Sequence, residues 1–147
     1  MGRLLKFFRL PGREKALFFN ALYLLATYRI RLQVTSTQHI FNRVQRLSCE
    51  KYVANPSPVP PQRIARLLNV AALFIPYSTC LSKALAGQIL FAGHGHKTRL
   101  HIGVANDAQQ NFEAHAWLSL DDIILIGRLP GLERYREFPS LDKISPK

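Results

Sequence analysis

Acidic side chains are scarce in this chain. Its 147 residues hold nine Asp and Glu against twenty Lys and Arg, a formal net charge of +11. Such a surplus draws polyanions, acidic peptides and anionic membrane surfaces through long-range fields. By itself it says nothing about catalysis. Cysteine is scarcer still, with Cys49 and Cys80 alone. One disulfide could join them, but a single core of this size does not need a staple. The chain shows no export signal with a small-residue cleavage site, so the expectation is a cytoplasmic protein with reduced thiols. Long apolar runs are missing as well. The richest early stretch, Ala16 to Tyr28, is interrupted by Asn20 and followed by Arg29 and Arg31. That falls short of the roughly 20 apolar residues a membrane span needs. What is present, 48% hydrophobic and 20% charged residues without internal repeats, is an ordinary globular composition.

Periodicity divides the chain into three parts. Residues 1–54 read as a basic helical region, with helices near 13–32 and 37–51. Leu17, Ala21, Leu24, Leu25 and Tyr28 recur at helical spacing. A docking face for the rest of the domain is the preferred explanation of that stripe. Peripheral membrane contact is the alternative, because Arg3, Lys6, Arg9, Arg13 and Lys15 precede it beside Phe7 and Phe8. Residues 55–61, Asn-Pro-Ser-Pro-Val-Pro-Pro, form a stiff connector that no helix crosses. A core over 62–147 follows, the whole being one compact unit. From Gln62 a helix carries Ile64, Leu67, Leu68, Ala71 and Phe74 on one stripe and ends at Pro76. A second helix follows Ser78 and Thr79, with Leu81, Ala84, Leu85 and Ile89 in phase, and closes at Gly93. Arg99 to Val104, Asn111 to Leu120 and Ile123 to Ile126 read as strands, with Asp121-Asp122 as a tight turn. Helices followed by an antiparallel meander give an α+β fold class.

Two residues stand out chemically. Cys80 falls in the first turn of a helix, where orphan N–H groups and the positive dipole end favour a thiolate and can bind an oxyanion. A buried structural cysteine is the plainer reading of that residue taken alone. His115 shares a strand face with Glu113, Trp117 and Ser119, whereas Phe112, Ala114, Ala116, Leu118 and Leu120 line the other. A histidine beside a tryptophan on the more polar face suits a cleft, and also suits an ordinary surface.

The order of the segments separates these readings. Thr79-Cys80-Leu81 opens a helix containing Ala84-Leu85-Ala86, and Gly93 ends it. Leu100-His101-Ile102-Gly103-Val104 follows, then Glu113-Ala114-His115-Ala116-Trp117. This order resembles the transglutaminase-like (papain-like) fold, and more closely the stand-alone leader peptidases of lasso-peptide biosynthesis. Phe8-Arg9-Leu10-Pro11 with Glu14 and Ala21-Leu22 is similar to that family's start. Leu125-Ile126-Gly127 and Glu133-Arg134-Tyr135 are similar to its tail. The resemblance implies a cysteine peptidase with Cys80 as nucleophile and His115 as base. It also implies a ribosomally made precursor peptide as substrate, and as partners a leader-binding protein and an ATP-using lasso cyclase. No cofactor, metal or nucleic acid is implied. For the acidic third member the chain departs from the family. Ser119 stands where a Glu often follows the histidine, and Ile123 to Ile126 holds no acid. Asp121 matches the family's turn aspartate and is the candidate, with Asp122 second.

The remaining polar residues carry weaker expectations. His94-Gly95-His96 reads as a solvated turn, since two histidines without a third ligand seldom bind metal. His39 and His101 read alike. Gln88 reads as helix packing, Cys49 as structural, and Glu113 as a substrate or solvent contact. Two other functions fit less well: acyl transfer to an amine, which shares the acyl-enzyme, and a non-catalytic basic module for RNA or anionic membrane. The latter lacks a nucleic-acid motif or an interleaved basic–aromatic platform.

Overall fold

The computed structural model describes residues 8–52 and 59–137. Arg3, Lys6 and Phe7 of the basic start, residues 55–58 of the Pro-rich connector and the chain after Glu137 lie outside them. Among the described residues four helices precede the sheet: α1 Gly12–Val34, α2 Thr37–Lys51, α3 Pro61–Ala72 and α4 Cys80–Ala92. Pro61 stands at the first helical position of α3, where its missing N–H loses nothing. The strands are β1 Arg99–Asn106, β2 Phe112–Leu120, β3 Ile123–Ile126 and β4 Arg136–Glu137, in the order β3-β2-β1-β4. All three pairings are antiparallel, so β1 to β3 form the expected meander and β4 returns to the free edge of β1. No sequence pattern pointed to β4, because two exposed residues hold no periodicity.

The predicted stripe of α1 is the buried one: Leu17, Ala21, Leu24, Leu25 and Tyr28 all enter the core. In α3, Ile64, Leu67, Leu68 and Ala71 do the same, but the helix ends at Ala72 and Phe74 turns outward, 61% exposed. Helix α4 is buried well beyond its in-phase residues Leu81, Ala84, Leu85 and Ile89. It is buried continuously from Ala84 to Ala92, since α1, α2, α3 and the sheet surround it. Gly87 lets the sheet approach, because a Cβ there would meet Leu118 Cδ1 at 2.8 Å and Leu68 Cδ2 at 3.1 Å. Gln88 packs as expected, its amide donating to Gln45 Oε1 on α2 at 3.2 Å. Cys49, read as structural, is free and exposed, outside the core.

A two-pronged ion pair ties the start of α1 to the start of α3. Arg63 donates from Nε to Glu14 Oε1 at 3.0 Å and from Nη2 to Oε2 at 2.9 Å. The hydrogen bonds from Arg63 hold the Glu14 carboxyl below its ordinary value, with burial opposing and the guanidinium charge adding to the effect. A lowered folded-state value means stability present above the ordinary carboxylate range and lost as pH falls through the folded value. Glu14→Gln is therefore expected to destabilise the fold by about 1 kcal/mol at neutral pH. Urea unfolding of both proteins should show that gap close in acid.

Candidate active site

The first turn of α4 is built around its cap. Thr79 Oγ1 accepts from the Ser82 amide at 3.1 Å, and Ser82 Oγ accepts from the Thr79 amide at 2.9 Å, a reciprocal capping box. Ser82 is fully buried, so the helix start is pinned to the protein interior. Cys80 is the first residue inside that cap, half-buried and free. The cap engages the Ser82 amide and leaves the two preceding amides at the helix mouth.

His115 sits in the middle of β2, opposite Gly103 of β1, and is 9% exposed. Its Nε2 lies 2.6 Å from the carbonyl oxygen of Gly127. A carbonyl only accepts, so Nε2 carries the hydrogen and donates it, and in the neutral ring Nδ1 keeps a lone pair. The bond thus selects the tautomer in which Nδ1 is the base. Gly127 is left-handed (φ 88°), and a Cβ there would fall 2.7 Å from the Ala116 carbonyl and 2.8 Å from Trp117 Cβ. Only glycine brings its backbone this close to β2.

A strap over residues 131–137 covers the polar face of the sheet. Gly131 is left-handed (φ 75°), a short 3-10 turn spans Leu132–Arg134, and Tyr135 then lies down on Gly103. A Cβ on Gly103 would meet Tyr135 Cβ at 2.9 Å and the Trp117 ring at 3.0 Å, so its absence makes the seat. The Tyr135 ring packs against His115 with centroids 5.7 Å apart. Its phenol donates to Glu113 at 3.2 Å, and Arg134 stands 3.5 Å from the same carboxylate. The Tyr135 hydroxyl is pushed above its ordinary value, first by desolvation, then by the Glu113 hydrogen bond and charge, and last by Cys80, with Arg134 opposing. One aromatic ring thus touches the imidazole and bonds the carboxylate two residues before it on β2. Glu113 is occupied by the strap rather than left to solvent.

Trp117 is buried between two imidazoles. His115 stacks at 6.1 Å and 17°, and His101 at 5.3 Å and 6°. His101, read as a solvated residue, is instead held at both nitrogens. Nδ1 donates to the Glu137 carboxylate, and Nε2 lies 2.7 Å from Ser119 Oγ. Strand pairing made the difference: β4 brings Glu137 beside β1, a contact remote in sequence.

Asp121 and Asp122 take left-handed φ values of 47° and 67° in the exposed turn between β2 and β3, the backbone of a type I′ hairpin. Among the described residues the hydrogen-bond partner of the His115 ring is the Gly127 carbonyl, not Asp121 or Asp122. His94 Nδ1 bonds the Leu90 carbonyl at 2.9 Å, whereas His96 packs edge-on against Phe91. His39 stays exposed on α2.

A comparison with known families bears on the whole arrangement. The sequence profile of the transglutaminase-like superfamily matches residues 24–140. The chain belongs to that superfamily. The match begins inside α1 and runs across the connector, both catalytic candidates and the strap. This superfamily includes cysteine peptidases and acyl transferases, and is generally catalytic. No curated protein and no solved structure matches the chain. Among the described residues no helix is long and apolar enough to cross a membrane.

Sequence reasoning missed the Gly127 carbonyl and Tyr135. A backbone oxygen has no side-chain signature. Gly127 itself, following an apolar strand, was the available hint of a close backbone approach.

Proposed function

We propose that this member of the superfamily is a cysteine peptidase that removes the leader from a ribosomally made lasso precursor. The observation that carries the proposal is the buried His115 ring, held through Nε2–H by the Gly127 carbonyl with Nδ1 left as a base, on a sheet against which the cysteine-bearing helix α4 packs. It supports an imidazole prepared to take a proton.

In this reading His115 Nδ1 takes the proton of Cys80, and the sulfur attacks the scissile carbonyl carbon. Amides at the mouth of α4 receive the developing oxyanion. The C–N bond then breaks as the imidazolium returns its proton to the departing amine. Water, deprotonated by the same nitrogen, hydrolyses the thioester and restores the thiol. The Gly127 carbonyl orients the ring throughout and stabilises the imidazolium, the task a side-chain acid performs elsewhere. The precursor is presented by a leader-binding protein, and the trimmed product passes to an ATP-using cyclase. Similarity of the motifs around Cys80 and His115 to the stand-alone leader peptidases supports this assignment.

Acyl transfer to an amine is the second reading, since the superfamily holds both chemistries and the acyl-enzyme is common to them. Incubation with the matching precursor and its leader-binding partner, followed by mass spectrometry, separates the two. The peptidase yields free leader acid and a core peptide with a new amino terminus, whether or not an amine is added. A leader that gains the mass of the added amine indicates a transferase. An intact precursor under all conditions defeats both.

A further inference from the structure

A second row of hydrogen-bonded side chains crosses the polar face of the sheet and includes neither Cys80 nor His115. His101 of β1 is its centre. Its Nδ1 donates to the Glu137 carboxylate, so in the neutral ring Nε2 carries a lone pair. Ser119 Oγ lies 2.7 Å from that nitrogen and, as a hydroxyl, donates to it. The order is hydroxyl, imidazole, carboxylate, with each hydrogen directed toward the acid. Trp117 stacks on His101 at 5.3 Å, fixes the plane of its ring and stands between this row and His115.

Anchoring of β4 accounts for the bond from His101 to Glu137, but it asks for no hydroxyl at the opposite nitrogen. The setting of Ser119 also suits a reactive group. The residue is half-buried, and His101 keeps 12% of its side chain exposed. The ladder to β3 shifts register at this point. Leu118 faces Ile126 and Ser119 faces Ile124, which leaves Leu125 as the extra residue of a bulge. Bulges re-aim side chains and recur beside active sites. Directly opposite Ser119 on β1 stands Arg99, exposed and on the same face, the two Cβ atoms about 5 Å apart. Among the described residues Arg99 has no ion-pair partner, so an uncommitted positive charge stands beside the Ser119 oxygen.

We propose that Ser119, His101 and Glu137 form a second hydrolytic centre, one that takes small carboxylic esters. His101 Nε2 receives the hydroxyl proton as Ser119 Oγ bonds to the ester carbonyl carbon. Arg99 faces the oxyanion that forms. The bond from carbon to the alkoxide then breaks, and the imidazolium gives its proton to the departing alcohol. Water, deprotonated by the same Nε2, releases the carboxylic acid and restores the hydroxyl. Glu137 holds the hydrogen on Nδ1 and stabilises the imidazolium. The proposal does not rest on the peptidase reading, since it uses neither the thiol nor His115.

A full chain carrying Cys49→Ala and Cys80→Ala tests it with thiol chemistry removed. This protein is expected to react with a fluorophosphonate, phosphorus bonding to oxygen as fluoride leaves, and peptide mapping by mass spectrometry should place the adduct on Ser119. His101→Gln should slow that labelling by about a hundredfold or more. Glu137→Gln should slow it as well. Turnover of 4-nitrophenyl acetate should be lost in Ser119→Ala, with thermal melts checking that each variant is folded. Should His101→Gln unfold, the mapped adduct and the Ser119→Ala comparison still decide. An unlabelled Ser119, labelling at an unchanged rate in a folded His101→Gln variant, or ester turnover that survives Ser119→Ala would each overturn the proposal and leave the row as a clasp for β4.

Discussion

Cys80→Ala is expected to lower the rate of precursor cleavage by about a thousandfold or more, and His115→Ala to match it. The two side chains act as one unit, so the double variant should be no slower than either single one. The folding consequences differ between them. Cys80 is half-buried at the helix mouth, where Ala fits the first turn without disturbing the Thr79–Ser82 box. His115 is buried and bonded, so its truncation should also cost about 1–3 kcal/mol by leaving the Gly127 carbonyl without its donor. Thermal melts of both variants at the assay temperature distinguish lost chemistry from lost fold. Cys49 is free and exposed and reacts with thiol reagents in its own right, so labelling of Cys80 is best read on a Cys49→Ala background. Retention of near wild-type cleavage by Cys80→Ala would remove the nucleophile from the mechanism and the peptidase reading with it.

The second large effect concerns a residue with no side chain. Gly127→Ala is expected to slow cleavage by about a hundredfold, the scale of a 1 Å misplacement in an active site. Alanine in the left-handed region is strained by about 1–2 kcal/mol. Its Cβ would also meet a backbone oxygen at 2.7 Å and the Trp117 Cβ at 2.8 Å, neither of which is the free end of a flexible chain. Gly127 must therefore move, taking along the carbonyl that fixes the hydrogen on His115 Nε2. Asp121→Asn and Asp122→Asn are the matching controls. Asn tolerates the same left-handed turn, and each variant should stay within about twofold of wild type, as exposed substitutions do. Steady-state kinetics on the four proteins decides between a carbonyl and a carboxylate as the orienting group. A silent Gly127→Ala beside a crippled Asp121→Asn would restore the turn aspartate as third member.

Cys80 and His115 were legible because their side-chain chemistry is rare in this chain and their neighbours are patterned. A Thr before an apolar run marks a helix start, and alternation through Phe112 to Leu120 marks a strand. The elements themselves were read nearly to their ends, α2 and β3 with the bounds observed. Where the reading failed, the missing quantity was an arrangement rather than a residue. Phe74 was in phase with the buried stripe of α3, yet the helix stopped two residues short and released it to solvent. His101 had no visible partner until β4 returned beside β1 and brought Glu137 to it.

The sequence alone determined the α+β class, the helix carrying the cysteine, the strand carrying the histidine, and the strongly positive balance. Each of these depends on local periodicity, capping chemistry or composition, which neighbouring residues settle among themselves. Only the tertiary structure decided what bonds the imidazole, what covers it and which face of α1 is buried. Those depend on the Gly127 carbonyl, on Tyr135 lying upon Gly103, and on α3 and α4 covering one side of α1. All three join segments distant along the chain, and such contacts are fixed by packing, not by the identity of the residues next door.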